Sequence, residues 1–219
     1  VSTMRNLPEP YLEVYYINET YGETYEYIQL TDAEAEAMLA PVVAEVRAAL
    51  GDYVYGVDVK GLEAVCFQLL KERNLTLATA ESCTGGRVAE RITALPGVSS
   101  VYRGGVVSYW TSVKAAVLGV PQETLDQYGA VSEETARAMA EGARQITGAD
   151  IAVSVTGVAG PDRDERDNPV GLVYIGLATP DGTFCRRTDS GRRRDRIQEL
   201  AANHALDVVR RYLTGLPIG

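Results

Sequence analysis

A polar segment, Glu81-Ser-Cys-Thr-Gly-Gly86, carries two hydroxyls and a thiol immediately before and beside a pair of glycines. The preceding residues 75–80 combine leucine and threonine with small alanines, which predicts a short buried strand. Residues 88–95 then place apolar side chains at helical spacing. We therefore predict a strand-to-helix corner, where backbone N–H groups and the positive end of a helix suit an anion or an oxyanion. The alternative is a purely structural role, in which the polar residues cap the helix and the glycines allow tight packing. The spacing of the residues does not decide between the two.

Ser82 and Cys83 are the two candidate nucleophiles on this corner. A serine needs a base, and the single histidine, His204, falls in a predicted helix remote from the segment in sequence. The candidate base is therefore a lysine with a lowered pKa. A thiol at a helix N-terminus would itself be acidified, which keeps Cys83 as the competing nucleophile. The chain contains neither a Walker phosphate loop nor a GxSxG turn, which disfavours nucleoside triphosphatases and α/β-hydrolases.

The candidate lysine follows a second predicted strand. Residues 101–110 are predicted to form a strand that ends near Tyr109, and Thr111 opens a short helix that contains Lys114. Ligands of open α/β sheets bind beyond the carboxyl ends of the strands, so Ser82, Tyr109 and Lys114 converge if the two strands are neighbours. Tyr109 would relay the proton or hold Lys114 in place. The alternative makes Tyr109 a packed aromatic and Lys114 a solvated helix residue.

Composition narrows the class of protein. Of the 219 residues, 46% are apolar and 23% charged, which is typical of a globular protein. No apolar run approaches the ~18 residues that a membrane span needs, and residues 1–10 lack the apolar segment of a signal peptide. We therefore expect a cytoplasmic protein without a membrane partner. Three widely spaced cysteines and one histidine predict neither a disulfide framework nor a metal site, so no metal cofactor is expected.

Charge and tyrosine content divide the chain. Residues 1–60 hold 11 acidic and 3 basic residues and eight of the thirteen tyrosines, whereas residues 61–219 hold 19 acidic and 18 basic residues. We predict a small Tyr-rich acidic α+β appendage or linker domain over 1–60 and a main domain over 61–219. Neither part offers the basic surface that nucleic acid requires, so no nucleic-acid partner is expected. The alternative for residues 1–60 is an interaction segment that docks a basic partner.

The predicted elements define the fold class. In the appendage, strands are predicted at 12–17, 24–30 and 53–55, and a capping box at Thr31 opens a helix to about Leu50 that is broken or kinked near Pro41. The main domain alternates helices and strands and contains one hairpin, at 180–182. This pattern predicts an α/β fold, a three-layer αβα sandwich with a mixed, mostly parallel sheet. Its helices are predicted at 62–73, 84–95, 111–118, 121–128, 132–147 and 193–213, and its strands at 75–80, 101–110, 151–156, 170–179 and 183–189.

The run Ala80-Glu-Ser-Cys-Thr-Gly-Gly86 closely resembles the signature of the CinA C-terminal domain family, the nicotinamide mononucleotide deamidases. The resemblance covers about residues 62–213, and several motifs agree in the same order, which is more specific than any one of them. The further motifs are Gly104-Gly-Val-Val-Ser-Tyr109, Lys114, Leu118-Gly-Val120, Gly129-Ala-Val-Ser132, Thr156-Gly-Val-Ala-Gly-Pro161, Pro169-Val-Gly-Leu-Val-Tyr174 and the arginines before the last helix.

This resemblance implies hydrolysis of the carboxamide of nicotinamide mononucleotide to nicotinate mononucleotide and ammonia, without a metal or other cofactor. The family's serine, tyrosine and lysine correspond to Ser82, Tyr109 and Lys114. The resemblance also suggests a homodimer whose partner molecule is a nucleotide substrate. The residues that would then bind this substrate are the backbone amides of Cys83, Thr84, Gly85 and Gly86 at the oxyanion, Thr156, Gly157 and Gly160 at the nucleotide, and Arg194 or a neighbour at its phosphate.

Two features depart from the family pattern. The family commonly shows Gly-x-Arg before the last helix, whereas this chain has Gly191-Arg-Arg-Arg194, so the phosphate could fall to more than one arginine. Residues 1–60 also differ from the nucleotide pyrophosphatase domain of longer CinA proteins. A catalytically silent nucleotide-binding module that serves competence or DNA-damage responses is the alternative function.

Overall fold

The structure, a computed structural model, describes residues 31–191 and 193–218. The strands expected at 12–17 and 24–30 lie outside the described residues. The chain divides into two compact units, with the division between Val54 and Tyr55.

The first unit contains helix α1 (Asp32–Leu50). The predicted capping box is confirmed. Thr31 Oγ1 accepts from the Glu34 amide at 3.3 Å, and the Thr31 amide donates to a carboxylate oxygen of Glu34 at 2.8 Å. The helix continues through Pro41, so of the two predicted alternatives, a break or a kink near this residue, the break is wrong. The strand predicted at 53–55 is wrong, since residues 51–53 form a 3₁₀ turn. The described residues of this unit contain no other strand, so a strand at 53–55 would have no neighbour within them to accept its backbone hydrogen bonds.

The second unit is built on a five-stranded sheet in the order β2-β1-β3-β4-β5. Strand β1 pairs in parallel with both β2 and β3, whereas β4 is antiparallel to both β3 and β5. Four strands therefore run in one direction and β4 opposes them, which confirms the mixed, mostly parallel sheet. The strands are β1 (Leu77–Glu81), β2 (Tyr102–Val107), β3 (Ile151–Gly157), β4 (Leu172–Thr179) and β5 (Gly182–Asp189).

Helices cover both faces of this sheet, as the three-layer prediction requires. Large side chains of the strands, such as Leu77 and Val153, pack on one face in a core with three helices, α2 (Leu62–Arg73), α3 (Arg87–Thr93) and α7 (Arg194–Thr214). Small side chains such as Ala80 pack on the other face in a second core with α4 (Thr111–Leu118), α5 (Gln122–Tyr128) and α6 (Glu133–Thr147). Alternate residues of a strand point to opposite faces, so one strand serves both cores. Among the described helices, none combines the length and apolar character of a bilayer span.

The carboxyl end of β1 is held from both sides. The Ser82 amide donates to the main-chain oxygen of Val155 on β3 at 2.9 Å, and the Ser108 amide, just after β2, donates to that of Glu81 at 2.8 Å. The ends of β1, β2 and β3 therefore lie side by side at one edge of the sheet. This arrangement of the strand ends is the condition under which the sequence predicted that Ser82, Tyr109 and Lys114 converge.

Candidate active site

The segment after β1 forms a tight turn rather than the first turn of the helix. The Gly85 amide donates to the main-chain oxygen of Ser82 at 3.0 Å, and α3 begins only after Gly86. Gly85 and Gly86 have φ values of 62° and 99°, in the left-handed region where a side chain is strained. The two glycines therefore allow the chain to reverse within a few residues, which leaves the Ser82 side chain partly exposed at the edge of the sheet.

Lys114 is buried beside this turn. Its side chain is 1 % exposed, and Nζ lies 3.1 Å from Ser82 Oγ and 2.6 Å from the main-chain oxygen of Ser108. Burial lowers the pKa of Lys114 from 10.5 to about 8, because an ammonium loses its hydration in the interior. A lysine with such a pKa is neutral in about one molecule in ten at pH 7, and its lone pair can then accept the Ser82 proton.

His204 lies elsewhere in this unit. It is half-buried on α7, where burial and the nearby Arg186 lower its pKa. Among the described residues Ser82 receives its side-chain hydrogen bond from Lys114 and none from a histidine. The serine–lysine pair predicted from the sequence is therefore close in space, and a serine–histidine pair is not formed.

Cys83 does not have the acidified thiol that its position predicted. Its side chain is 4 % exposed, and burial raises the pKa of the thiol to about 12. The Cys83 main-chain oxygen accepts from Gln198 Nε2 of α7 at 2.7 Å, which anchors the turn to the helix layer. A thiol that remains protonated is a poor nucleophile, so the geometry favours Ser82 over Cys83.

A buried carboxylate occupies part of the predicted oxyanion site. Glu81 is 1 % exposed and accepts from the amides of Gly86, Val88 and Ala89 at 3.0, 3.1 and 2.8 Å. It thereby satisfies the N-terminal amides of α3, which otherwise would lack acceptors. The amides of Gly86 and, through its bond to Ser82, of Gly85 are therefore already engaged.

Two of the four predicted amide donors remain. Neither the Cys83 nor the Thr84 amide donates to another residue in the part of the chain that the structure describes. They belong to the two residues that follow Ser82, and an oxyanion formed by serine attack requires donors of this kind close to the nucleophile. The Thr84 hydroxyl is also fully buried and has no partner among the described residues. Any backbone stabilisation of an oxyanion therefore falls to Cys83 and Thr84.

Tyr109 lies at the same edge but bonds to a different residue. Its hydroxyl accepts from Arg194 Nη2 at 2.7 Å, and Arg194 Nη1 donates to the main-chain oxygen of Gly160. Tyr109 is 53 % exposed and makes no hydrogen bond to Ser82 or Lys114 among the described contacts. The structure thus brings Tyr109, Arg194 and Gly160 together beside the Ser82–Lys114 pair.

The remaining predicted residues on β3 and its following loop make structural contacts. Thr156 is buried, and its hydroxyl donates to the Ala130 main-chain oxygen at 2.6 Å. A Cβ on Gly157 would lie 2.6 Å from the Leu172 main-chain oxygen, and one on Gly160 would lie 2.7 Å from Val170. Close packing thus accounts for these residue types, and contact with a nucleotide stays a prediction.

An open cleft adjoins Arg194. Its volume is about 550 Å³, and polar and apolar side chains share its wall. The predicted phosphate-binding residue therefore faces a space large enough for part of a ligand. Among the described residues no three potential metal ligands cluster. The cleft is lined by Ala159, Pro161, Val170, Arg193, Arg194, Asp195 and Gln198.

Three contributors to the site were not assigned roles from the sequence. The Glu81 carboxylate and the side-chain amide of Gln198 hold the turn that follows Ser82. The Ser108 main-chain oxygen holds Lys114. An acid just before a glycine turn and a helix is a signal for an N-terminal cap, and it could have identified Glu81. Nothing in the local sequence marks Ser108 or Gln198, because their partners are chosen by tertiary contact.

Comparisons with known proteins cover most of the second unit. The family model described as the CinA C-terminal domain matches residues 59–213. A CinA-like protein of Frankia casuarinae is 52% identical over 185 residues, which is 84% of this chain and 42% of that protein. A CinA-like protein of Desulfovibrio desulfuricans is 48% identical over 187 residues, 84% of this chain and 44% of that protein.

Solved structures agree with these matches. A CinA superfamily protein from Klebsiella pneumoniae has a TM-score of 0.69 and 31% identity, and the match covers 70% of this chain and 96% of that one. A competence/damage inducible protein from Agrobacterium tumefaciens has a TM-score of 0.66 and 35% identity, with coverage of 70% and 93%. The chain spans about half the length of the curated relatives it matches, or somewhat less.

Proposed function

Because this chain belongs to the CinA C-terminal domain family, we propose that it is an amidohydrolase that converts nicotinamide mononucleotide to nicotinate mononucleotide and ammonia. Ser82 is the nucleophile in this proposal and Lys114 is its base. Arg194 binds the substrate phosphate, and Tyr109 faces the substrate from the same side.

One observation carries the proposal. The buried Lys114 Nζ lies 3.1 Å from Ser82 Oγ, and the pKa of this lysine is lowered to about 8. A structural lysine in a core normally pairs with a carboxylate, whereas the acceptors of Lys114 among the described residues are a hydroxyl and a main-chain oxygen. A lysine that contacts a serine and loses its proton easily is suited to general-base catalysis.

The first chemical step transfers the acyl group of the carboxamide to Ser82. Neutral Lys114 accepts the Ser82 proton as Oγ attacks the carbonyl carbon, and the carbonyl π pair becomes the oxyanion. The amides of Cys83 and Thr84 donate to this oxyanion, and each such donor is worth about 3 to 4 kcal/mol in related chemistry. The oxyanion then collapses, the carbon–nitrogen bond breaks, and the Lys114 ammonium returns its proton to the nitrogen, which leaves as ammonia.

The second step releases the acid. A water attacks the acyl-enzyme while neutral Lys114 accepts one of its protons. The carbon–oxygen bond to Ser82 breaks, and Lys114 returns the proton to Oγ. The carboxylic acid and the free serine result, and the acid releases its remaining proton to the solvent as it becomes the carboxylate. The neutral base is thus regenerated in each turnover.

The proposal is tested by incubating the protein with nicotinamide mononucleotide and EDTA and measuring ammonia, beside Ser82→Ala and Cys83→Ala. Ammonia that is lost in Ser82→Ala and survives in Cys83→Ala supports the serine mechanism. Loss only in Cys83→Ala would contradict it. A folded wild-type protein that binds the nucleotide and releases no ammonia would refute the enzyme and favour the binding module.

A further inference from the structure

Arg194 links two loops of the candidate active site. Its Nη2 donates to the Tyr109 hydroxyl at 2.7 Å, and its Nη1 donates to the main-chain oxygen of Gly160. Tyr109 follows β2, Gly160 follows β3, and Arg194 is the first residue of α7. One guanidinium therefore connects three elements at the edge of the sheet where Ser82 lies.

The direction of the bond to Tyr109 decides what this tyrosine can do. A guanidinium has N–H donors and no acceptor, so the Tyr109 oxygen must accept the bond. The phenolic proton is then free for donation to a third group. Among the described residues neither Ser82 nor Lys114 receives it. The Tyr109 O–H is thus available to a ligand bound beside Ser82.

The guanidinium retains further donors. An arginine carries five N–H groups, and the two observed contacts use one on Nη1 and one on Nη2. Three N–H groups remain, one each on Nε, Nη1 and Nη2, and neighbouring N–H groups of a guanidinium can donate to two oxygens of one phosphate. A phosphate can therefore bind in the adjoining cleft while the bonds to Tyr109 and Gly160 persist.

Arg194 is also exposed, as is half of Tyr109. An exposed contact made by a long side chain is weak, because water competes and rotamer freedom is lost. A bound phosphate would immobilise the guanidinium and would thereby make its hold on Tyr109 more persistent.

On the premise of the proposed function, we propose that Arg194 is a positioning residue that couples binding of the substrate phosphate to placement of the Tyr109 hydroxyl. The phosphate then raises kcat and does not merely lower KM. The hydroxyl donates to the bound carboxamide, and a substrate without phosphate leaves Arg194 and Tyr109 poorly ordered. The binding energy of a remote group is thus used at the reacting centre.

The test compares nicotinamide mononucleotide with nicotinamide riboside, which differs only in lacking the phosphate. In the wild type we expect kcat for the nucleotide to exceed that for the riboside about tenfold, which is near the upper end of what one hydrogen bond between neutral groups contributes. In Tyr109→Phe this kcat ratio falls towards one, whereas the nucleotide keeps its advantage in KM. In Arg194→Ala both advantages are lost.

Arg193→Ala is the matched control. Arg193 lines the same cleft and is exposed, and its ion pair is with Asp195 at 3.5 Å. Its removal is expected to raise KM for the nucleotide and to leave the kcat ratio as in the wild type. Arg194→Lys keeps the charge without the fork, so it is expected to retain part of the KM advantage and to lose the kcat ratio.

A wild-type kcat ratio that persists in Tyr109→Phe would overturn the coupling, even with the amidase activity established. If the wild type releases no ammonia, the proposed function fails and the coupling is tested without turnover. Trp110, the chain's only tryptophan, adjoins Tyr109 and is 75 % exposed. The fluorescence of Trp110 should change when ribose 5-phosphate is added to the wild type and should not change in Arg194→Ala. An unchanged fluorescence in the wild type would refute the coupling.

Circular dichroism of Tyr109→Phe, Arg193→Ala, Arg194→Ala and Arg194→Lys confirms that each variant is folded.

Discussion

Replacement of Lys114 by methionine separates its catalytic and its thermodynamic roles. Methionine has a similar length and no charge, and it fits a site that is 1 % exposed. Without the base, we expect kcat/KM to fall by about 10² to 10⁴, the usual contribution of general-base catalysis. Lys114→Arg is the matched control, since it keeps a cation that cannot release its proton, and it should be equally inactive.

The magnitude for stability follows from the pKa. Lys114 titrates at 10.5 when unfolded and at about 8 when folded, so the unfolded chain binds more protons between these values. The burial of Lys114 therefore lowers the free energy of unfolding increasingly as pH falls from 10.5 to about 8. Below about 8 this penalty reaches its full size of about 3 kcal/mol. Between about pH 7.5 and about pH 9.5 the wild type should gain about 2 kcal/mol relative to Lys114→Met.

The assays are urea unfolding of both proteins at these two pH values and a pH profile of kcat/KM for the wild type. Taking the difference between the proteins removes the titration of all other groups that the substitution leaves alone. The wild-type profile should rise with pH and level off above about 8. A rise centred near 10.5, or equal pH dependence of stability in both proteins, would refute Lys114 as a base with a lowered pKa.

Three further predictions concern the frame of the site and the assembly. Glu81→Ala leaves three amides at the start of α3, those of Gly86, Val88 and Ala89, without their acceptor, so we expect it to destabilise the protein by about 3 to 5 kcal/mol in urea unfolding. Glu81→Gln keeps one acceptor oxygen and should cost less; equal losses would contradict the capping role. Gly142→Ala places a Cβ 1.8 Å from the main-chain oxygen of Leu118, at the end of α4. This contact should lower the free energy of unfolding by about 2 kcal/mol and lower kcat by displacing Lys114. An unchanged Tm would contradict this, since it would show that α4 shifts without cost. If the protein forms the expected homodimer, light scattering at micromolar concentration should give twice the mass of one chain. The mass of a single chain would refute the dimer.

Much of the fold could be predicted because its signals are local. The alternation of helices and strands, the hairpin before β5 and the capping box at Thr31 depend on residues close in sequence, and the structure confirms them. The strand at 53–55 was wrong because a tyrosine-rich segment has strand propensity whether or not a partner strand exists.

The sequence by itself determined which residue types stand at the ends of β1 and β2, and hence the candidates Ser82, Tyr109 and Lys114. Only the tertiary structure decided how they pair. Burial of Lys114 against Ser82 lowers its pKa, and burial of Cys83 raises the pKa of its thiol. The hydroxyl of Tyr109 bonds to Arg194, 85 residues away. Periodicity and propensity act over a few residues, whereas desolvation and the choice of a hydrogen-bond partner depend on which elements the packed core brings together.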